Sequence, residues 1–343
     1  MNILLVVSEH PGDGKTSISI ALAHHISKLG KKVALVNPFG DTDELSDSSG
    51  ASIFSDLLGS ESLGWPLELP KSGLVDTRGR PYKVLRDVKS KLIELADKND
   101  LVIAEISSEI PLSEKVGIAE TLDAQVLGVI RHKHGLKVDD IKNQWNSFNN
   151  SLCGILINCR TKYTSHEVNT TFIPDLANLG VKVFGVIPED RRLLSVTVDQ
   201  IAKHLGGKYI VKNDEASGRL IENFLVGGWT MDESSIYFAT KDNKAVITRG
   251  DRPDLQMSAL TTDTTCIIMT KAIDPIEYVE YEAQNEGVPI IVVDTDTIKT
   301  MESLESLVEL ARFDHVAKLD RLSELIQSEV DTEAMLATIG IAT

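Results

Sequence analysis

The chain has 343 residues, of which 35 are lysine or arginine and 51 are aspartate or glutamate, so its formal net charge is −16. A hydrophobic content of 42% and a charged content of 25% are ordinary for a folded protein, which excludes global disorder. The length predicts two domains. The acidic balance argues against partners that require a basic face, namely nucleic acids and anionic membrane surfaces.

Three scattered cysteines, Cys153, Cys159 and Cys266, are too few for a disulfide framework and are not spaced as zinc ligands. The apolar run at residues 1–7 lacks a basic segment and is too short for a signal peptide or a membrane span. Every other apolar run is shorter than the roughly 18 residues that a spanning helix needs. We therefore expect a protein of the reducing cytoplasm.

Short apolar runs alternate with helical stretches over the first 211 residues. Six runs rich in Val, Ile and Leu predict strands at Ile3–Val7, Lys32–Asn37, Leu101–Glu105, Gln125–Arg131, Gly154–Asn158 and Lys182–Ile187. Because these runs do not alternate apolar with polar residues, they predict a parallel sheet with helices on both faces. The clearest helices are Lys15–Leu29, Pro81–Lys98 and Val196–Leu205.

A polar, turn-rich stretch at residues 212–218 marks the predicted domain boundary. A second, smaller α/β domain follows, and from Leu319 onward the sequence is typical of an acidic surface helix. The predicted strands are Lys244–Thr248, Thr265–Thr270 and Pro289–Asp294, with helices near Asp254–Leu260, Pro275–Asn285 and Ile298–Leu310. The predicted domains are therefore residues 1–211 and 217–330, with a tail at 331–343.

The most specific motif is SEHPGDGKTS at residues 8–17, between the first strand and the first helix, which is the context of a phosphate-binding loop. Its glycines let backbone N–H groups turn toward phosphate oxygens, and the helix N-terminus adds a favourable field. Lys15 is the predicted catalytic residue, because its ammonium reaches the β- and γ-phosphates. Glu9 replaces a glycine of the standard pattern, and the alternative is a glycine turn with an incidental Gly-Lys-Thr. The predicted nucleotide-binding residues of this loop are Gly12, Asp13, Gly14, Lys15, Thr16 and Ser17.

Three residues form a predicted magnesium site. Thr16 supplies a hydroxyl, and Glu105 closes an apolar strand at the place where P-loop proteins hold an acid for Mg²⁺ or its water. Asp47, within the acidic stretch at residues 41–47, is a candidate further ligand. The alternatives are a surface glutamate at a strand end and a solvated acidic loop.

The phosphate loop, Glu105 and the sequence LVNPFGD at residues 35–41 resemble dethiobiotin synthetase and its cobyrinate-amidating relatives. In the related partition ATPases, a lysine stands at the position of His10. Asn37 replaces a lysine of the dethiobiotin synthetase group, and Ile106 replaces the glycine that follows its catalytic acid. These departures argue against ligase chemistry but leave nucleotide binding intact.

The same resemblance implies where the purine base lies. Asn158, near the end of the fifth strand, matches the Asn element by which that group holds the base. Pro188, at the end of the sixth strand, matches the loop that closes over the base. For Asn158 the alternative is a strand-end cap.

Residues 243–262, NKAVITRGDRPDLQMSALTT, strongly resemble the DRTGG domain, and the segments further along follow in the order of that domain. A P-loop domain followed by a DRTGG domain is similar to the N-terminal regulatory half of long phosphate acetyltransferases. The sequence lacks the acyl-transferring half, so the resemblance implies a standalone version without acetyltransferase activity. One departure is Lys271-Ala272, where many DRTGG domains have Gly-Gly.

The strands of the second domain all end in polar loops. Ligands bind at the carboxyl ends of strands in open α/β sheets, so Asp251, Arg252 and Lys271 are predicted to meet in one crevice as an effector site. Arg252 either clamps a carboxylate or phosphate, or forms a structural ion pair with Asp251 or Asp254. The alternative role of this domain is a dimer interface.

Two functions from different classes fit the sequence. The first is an Mg-ATP-binding regulatory or ligand-sensing protein, whose partners are a nucleotide and an unidentified small molecule. The alternative is an ATP-dependent carboxylate-activating ligase, in which Lys15, Thr16 and Glu105 support phosphoryl transfer. The resemblance also implies a homodimer or larger homo-oligomer, with the apolar segment at residues 224–229 as either core or interface.

Overall fold

The computed structural model describes residues 2–38, 83–133, 135–228, 231–309 and 311–341. The chain forms two compact units, of which the first contains residues 1–189 and 313–343 and the second contains residues 190–312. Each unit is built on a mostly parallel sheet flanked by helices, which confirms the predicted α/β fold class.

The first unit contains a six-stranded sheet in which every strand pair is parallel, in the order β2-β3-β1-β4-β5-β6. β1 and β3 are buried along their whole length, as expected for apolar strands covered on both faces. The central position of β1 places the loop that follows it at the middle of the carboxyl edge. The strands are Ile3–Ser8 (β1), Val33–Val36 (β2), Leu101–Glu105 (β3), Gln125–Arg131 (β4), Leu152–Arg160 (β5) and Val183–Pro188 (β6).

Helices cover this sheet, and the hydrophobic core lies between them and the strands. The predicted helix at residues 15–29 is present and is followed by Gly30 with φ 83°. The helices in this part of the chain are Lys15–Lys28 (α1), Lys83–Ala96 (α2), Leu112–Leu122 (α3), Val138–Trp145 (α4), Ser165–Glu167 (α5) and Ile173–Asn178 (α6), with 3₁₀ turns at Asn146–Ser151 and Lys162–Thr164 and a π-helical segment at Val168–Phe172.

The second unit contains a five-stranded sheet in the order β10-β11-β12-β13-β8, parallel except for β8, and a two-stranded ribbon of β7 and β9. The half-buried edge strand β10 contains the first residues of the apolar segment at 224–229, whereas Trp229 lies outside the described residues. The strands are Val196–Thr197 (β7), Lys208–Val211 (β8), Leu220–Ile221 (β9), Asn223–Val226 (β10), Lys244–Arg249 (β11), Thr264–Thr270 (β12) and Ile290–Val292 (β13). The helices are Val198–Leu205 (α7), Asp214–Ser217 (α8), Met231–Phe238 (α9), Pro253–Leu260 (α10), Glu277–Asn285 (α11) and Thr297–Glu309 (α12).

The division into units differs from the predicted ranges 1–211, 217–330 and 331–343. β8 pairs antiparallel with β13, so residues 208–211 complete the second sheet rather than the first domain. The polar stretch taken for a linker contains the short helix α8, whose N-terminal N–H groups are capped by the Asn213 side chain. Turn-forming residues therefore mark a local cap here and not the boundary between the units.

The C-terminal segment returns to the first unit as two helices, Val316–Glu329 (α13) and Thr332–Thr338 (α14). The expectation of an acidic surface helix from residue 319 is corrected, because α13 packs against α1. Its apolar face is buried, and Val330 forms a bridge with Gly185 of β6. The buried apolar residues of α13 are Leu319, Leu322, Leu325 and Ile326.

Candidate nucleotide-binding site

The phosphate loop connects β1 with α1, as the sequence predicted. Gly12 has φ 80° and Gly14 has φ 91°, both in the left-handed region that glycine adopts without steric cost. A Cβ atom at Gly14 would lie 2.2 Å from Nδ2 of Asn158. Glycine is therefore required at residue 14 both for its conformation and for the close approach of β5.

Side chains from two neighbouring strands hold two carbonyls of this loop. Nη1 of Arg131, at the end of β4, donates to the Gly12 carbonyl at 3.2 Å, and Nδ2 of Asn158 donates to the Asp13 carbonyl at 2.9 Å. The carbonyl and the N–H of a trans peptide point in opposite directions. The N–H groups of Asp13 and Gly14 therefore face away from these side chains, as an anion-binding nest requires.

The side chains of Asp13 and Ser17 also stabilise the loop. Oδ2 of Asp13 accepts a hydrogen bond from the His10 backbone N–H at 3.0 Å, and the residue is buried. The Ser17 hydroxyl donates to the Gly14 carbonyl at 3.0 Å. Both side chains, predicted to contact the nucleotide, thus bond to the loop backbone in this structure.

Lys15, Thr16 and Glu105 meet at the carboxyl edge of the sheet. β1 and β3 are adjacent and parallel, with Val6 opposite Glu105, so the acid lies beside the phosphate loop. The Thr16 hydroxyl donates to Oε1 of Glu105 at 2.6 Å, and the Lys15 ammonium lies 3.2 Å from the same oxygen. The structure therefore brings together the predicted catalytic lysine and two of the predicted metal ligands.

The donor set fits a magnesium ion. Mg²⁺ prefers oxygen ligands and usually takes one or two protein groups, filling its other positions with phosphate oxygens and water. Thr16 and Glu105 supply one hydroxyl and one carboxylate. Within the described ranges, no three His, Cys, Asp or Glu side chains cluster as an all-protein metal site. Asp47, the third predicted ligand, lies outside the described residues.

Asn158 and Pro188, the two predicted contacts of the purine base, lie on neighbouring strands. The Asn158 amide is buried, with Nδ2 bonded to the loop carbonyl and Oδ1 accepting from the Cys159 N–H at 2.9 Å. The nitrogen and the oxygen of this amide therefore both bond to backbone groups, as expected if Asn158 acts as a strand-end cap. Pro188 pairs with Arg160 across β5 and β6 at the same edge of the sheet. The base contacts remain a prediction.

Sequence reasoning missed the roles of Arg131 and Lys115. Lys115 lies on the buried face of α3, and its ammonium donates to the Ser8 carbonyl at 2.9 Å. Burial and the nearby Lys15 ammonium lower the pKa of Lys115 to about 8. The available signal was its spacing from Ile118, Ala119 and Leu122, which places a lysine on the apolar face of the helix. Arg131 carried no comparable signal, because its partner is a backbone carbonyl.

At the carboxyl edge of the second sheet, two of the three predicted effector residues, Asp251 and Arg252, form separate ion pairs. Arg252 forms a two-point pair with Asp254 at 2.9 and 2.7 Å, which is the structural alternative for this arginine. Asp251 pairs instead with Arg249, whose hydrogen bonds lower the pKa of the Asp251 carboxyl. Lys271 is exposed in the neighbouring loop and also lowers that pKa through its charge.

Residues 271 and 272, where the sequence has Lys-Ala in place of Gly-Gly, have a backbone conformation that favours glycine. Lys271 and Ala272 have φ 72° and 53°, so two non-glycine residues occupy left-handed positions in succession. Their N–H groups bond to the carbonyls of Thr295 and Val293, each at 2.9 Å. A Cβ at Gly250 would lie 2.2 Å from the Ile273 carbonyl oxygen, so the loops after β11 and β12 are in close contact.

Two domain families match the chain. The CobQ/CobB/MinD/ParA nucleotide binding domain matches residues 4–199, and the DRTGG domain matches residues 200–307. A phosphate acetyltransferase of Haemophilus influenzae is 21% identical over 304 residues, covering 75% of this chain and 40% of that enzyme. The chain thus spans less than half the length of this relative.

Among solved structures, the MinD cell division protein of Aquifex aeolicus is 19% identical, with a TM-score of 0.38 over 57% of this chain and 85% of that protein. Cobyrinic acid a,c-diamide synthase of Mycobacterium smegmatis, solved with ADP and magnesium, is 17% identical, with a TM-score of 0.37 over 56% and 87%. The CBS and DRTGG domains of Clostridium perfringens pyrophosphatase, solved with diadenosine tetraphosphate, are 13% identical, with a TM-score of 0.32 over 46% and 74%.

None of the helices in the described part of the chain has the length and apolar character needed to cross a membrane.

Proposed function

Because the chain belongs to the CobQ/CobB/MinD/ParA nucleotide binding domain family and also contains a DRTGG domain, we propose that it binds Mg-ATP and acts as a regulatory or ligand-sensing protein. The relationship to phosphate acetyltransferase supports the regulatory part of this proposal. The observation that carries the Mg-ATP part is the meeting of Lys15, Thr16 and Glu105 beside the phosphate loop.

Each group has a defined task in this proposal. The loop N–H groups and the N-terminus of α1 bind phosphate oxygens, and the Lys15 ammonium, now paired with Glu105, turns to the β- and γ-phosphates. Thr16 and Glu105 would hold Mg²⁺ together with phosphate oxygens and water. The bound ion would supply positive charge that offsets the repulsion between the Glu105 carboxylate and the nucleotide phosphates.

The second unit is the proposed sensor. The carboxyl edge of its sheet contains Lys271 near Asp251, and also the Arg252–Asp254 ion pair. An anionic ligand would bind there by replacing the carboxylates of Asp251 and Asp254 as the partner of these two cations. We further propose that the protein forms a homo-oligomer, through which occupancy of one unit is linked to the other.

Calorimetric titration with Mg-ATP tests the nucleotide site. We expect the wild type to bind and Lys15→Ala to lose binding, because that lysine contacts the phosphates. Lys28→Ala, an exposed lysine at the other end of α1, is the matched control and should bind as the wild type does. Equal affinity in Lys15→Ala and the wild type would contradict the assignment.

Two further measurements separate regulation from catalysis. Mass spectrometry of the purified protein should detect a bound nucleotide or effector. ADP release is measured with and without candidate carboxylic acids, and acid-dependent turnover of roughly 1 s⁻¹ would favour the ligase alternative instead.

A further inference from the structure

Lys115 is a buried cation beneath the phosphate loop, and the proposed nucleotide site does not yet account for it. It projects from α3 and is 4% exposed. Its Nζ donates to the carbonyl of Ser8, the last residue of β1, at 2.9 Å and to the carbonyl of Ser108 at 3.2 Å. This one side chain therefore connects the start of the phosphate loop with the segment that follows Glu105.

The charge of this ammonium is only partly balanced. Two of its three N–H donors are used by neutral carbonyls, and the described residues provide it with no ion pair. The charged groups that face it are Lys15 of α1, which repels it, and Glu9 and Asp13 of the loop, which attract it. A buried charge without a close counter-ion is costly, so this arrangement favours an anion beside the two lysines.

We propose that Lys115 is a positioning residue of the nucleotide site, which fixes the phosphate loop at Ser8 and whose positive charge is balanced when polyphosphate binds next to Lys15. The inference rests on the proposed nucleotide binding. Lys115 acts through the backbone of the loop rather than by contact with the nucleotide, and this distinguishes its role from that of Lys15.

The proposal has a consequence that a purely structural lysine would not have. In the free protein, burial and Lys15 lower the pKa of Lys115 from 10.5 to about 8. Bound phosphates favour its charged form and raise this pKa. Nucleotide binding therefore takes up protons at about pH 8.5, and affinity falls as the pH rises above about 8, where the free protein loses the ammonium charge.

Two substitutions make a matched pair for the test. Lys115→Met removes the charge and the donors but keeps an unbranched apolar stem of similar length. Lys89→Met is the control, because Lys89 of α2 is also a partly buried lysine whose Nζ donates to a backbone carbonyl, that of Thr121, at 2.6 Å. Thr121 lies at the end of α3 and is not part of the phosphate loop.

The experiment is calorimetric titration of the full chain with Mg-ATP at about pH 7 and about pH 8.5, in two buffers of different ionisation enthalpy. We expect Lys115→Met to weaken binding at about pH 7 by about tenfold or more, since it removes a positive charge next to the bound polyphosphate and releases the phosphate loop at Ser8. Lys89→Met should stay within about twofold of the wild type. The wild type should take up protons at about pH 8.5, and this uptake should be absent from Lys115→Met.

The outcomes separate the two proposals. Absence of Mg-ATP binding by the wild type would overturn the proposed function and, with it, the role of Lys115. Binding by the wild type, with equal affinity and equal proton uptake in Lys115→Met, would overturn the role of Lys115 alone. If Lys115→Met does not fold, the wild-type titration decides, because binding without proton uptake at about pH 8.5 contradicts the inference.

Discussion

Replacing Ala272 by glycine is expected to stabilise the second unit. Ala272 has φ 53° and follows Lys271 at φ 72°, and the left-handed conformation costs an L-residue roughly 1–2 kcal/mol. The tertiary structure maintains this conformation, because the Ala272 N–H bonds to the Val293 carbonyl and the Lys271 N–H bonds to the Thr295 carbonyl. The strain is therefore present in the native state and absent from the unfolded chain.

The size of the effect follows from two opposing contributions. Glycine removes the left-handed cost but loses roughly 0.5–1 kcal/mol more backbone entropy on folding than alanine does. The difference between these two ranges is a net stabilisation of about 0–1.5 kcal/mol, with a midpoint of about 0.8 kcal/mol. Ala272 is exposed, so no core contact is lost with its methyl group. Lys271→Gly should have a similar effect, because it relieves a left-handed residue of the same loop.

Equilibrium unfolding in urea, followed by circular dichroism, measures this gain. The control is Glu305→Gly, an exposed residue in the middle of α12, which should lose about 1 kcal/mol because glycine in a helix interior has the entropic cost without any strain to relieve. An Ala272→Gly variant that loses as much stability as this control would refute the assignment of strain to the loop.

Three further predictions concern the nucleotide site and the assembly. Glu105→Gln should weaken ATP binding more with Mg²⁺ than without it in calorimetry, whereas equal losses would place Glu105 outside the metal site. Gly14→Ala should abolish binding in the same assay, because its Cβ would lie 2.2 Å from Nδ2 of Asn158, and wild-type affinity would contradict the described loop geometry. Light scattering of the full chain should give a mass above the 37.5 kDa monomer, and a monomeric mass across micromolar concentrations would refute the homo-oligomer.

The sequence by itself determined the class of fold and indicated the central residues of the candidate site. Strands buried on both faces lack polar alternation, so their apolar runs were sufficient to indicate a parallel sheet. The phosphate loop is a contiguous motif with its own strand and helix. Glu105 was recognisable because a single acid closes an apolar strand, at the place where P-loop proteins hold an acid for Mg²⁺. The pairing of its strand with β1, which brings it beside the phosphate loop, is seen only in the structure.

The side chains that hold the phosphate loop could be identified only from the tertiary structure. Arg131, Asn158 and Lys115 all donate to backbone carbonyls of residues more than 100 positions away in the chain. Every residue carries a carbonyl, so such an acceptor leaves no mark in the sequence. The partner of each donor is determined only when the strands and α3 have packed together.

The residue ranges of the two units were also determined by tertiary contacts. The helical periodicity of α13 was visible in residues such as Leu319, Leu322 and Ile326, but an apolar face indicates only that a helix is buried and not what buries it. The sequence of the short strand β8 likewise does not indicate its neighbour, since a strand edge can pair with any compatible edge. These segments belong to their units because α13 packs on α1 and β8 pairs with β13. Both are contacts between residues far apart in the chain, and the local sequence does not indicate which partner each segment will contact.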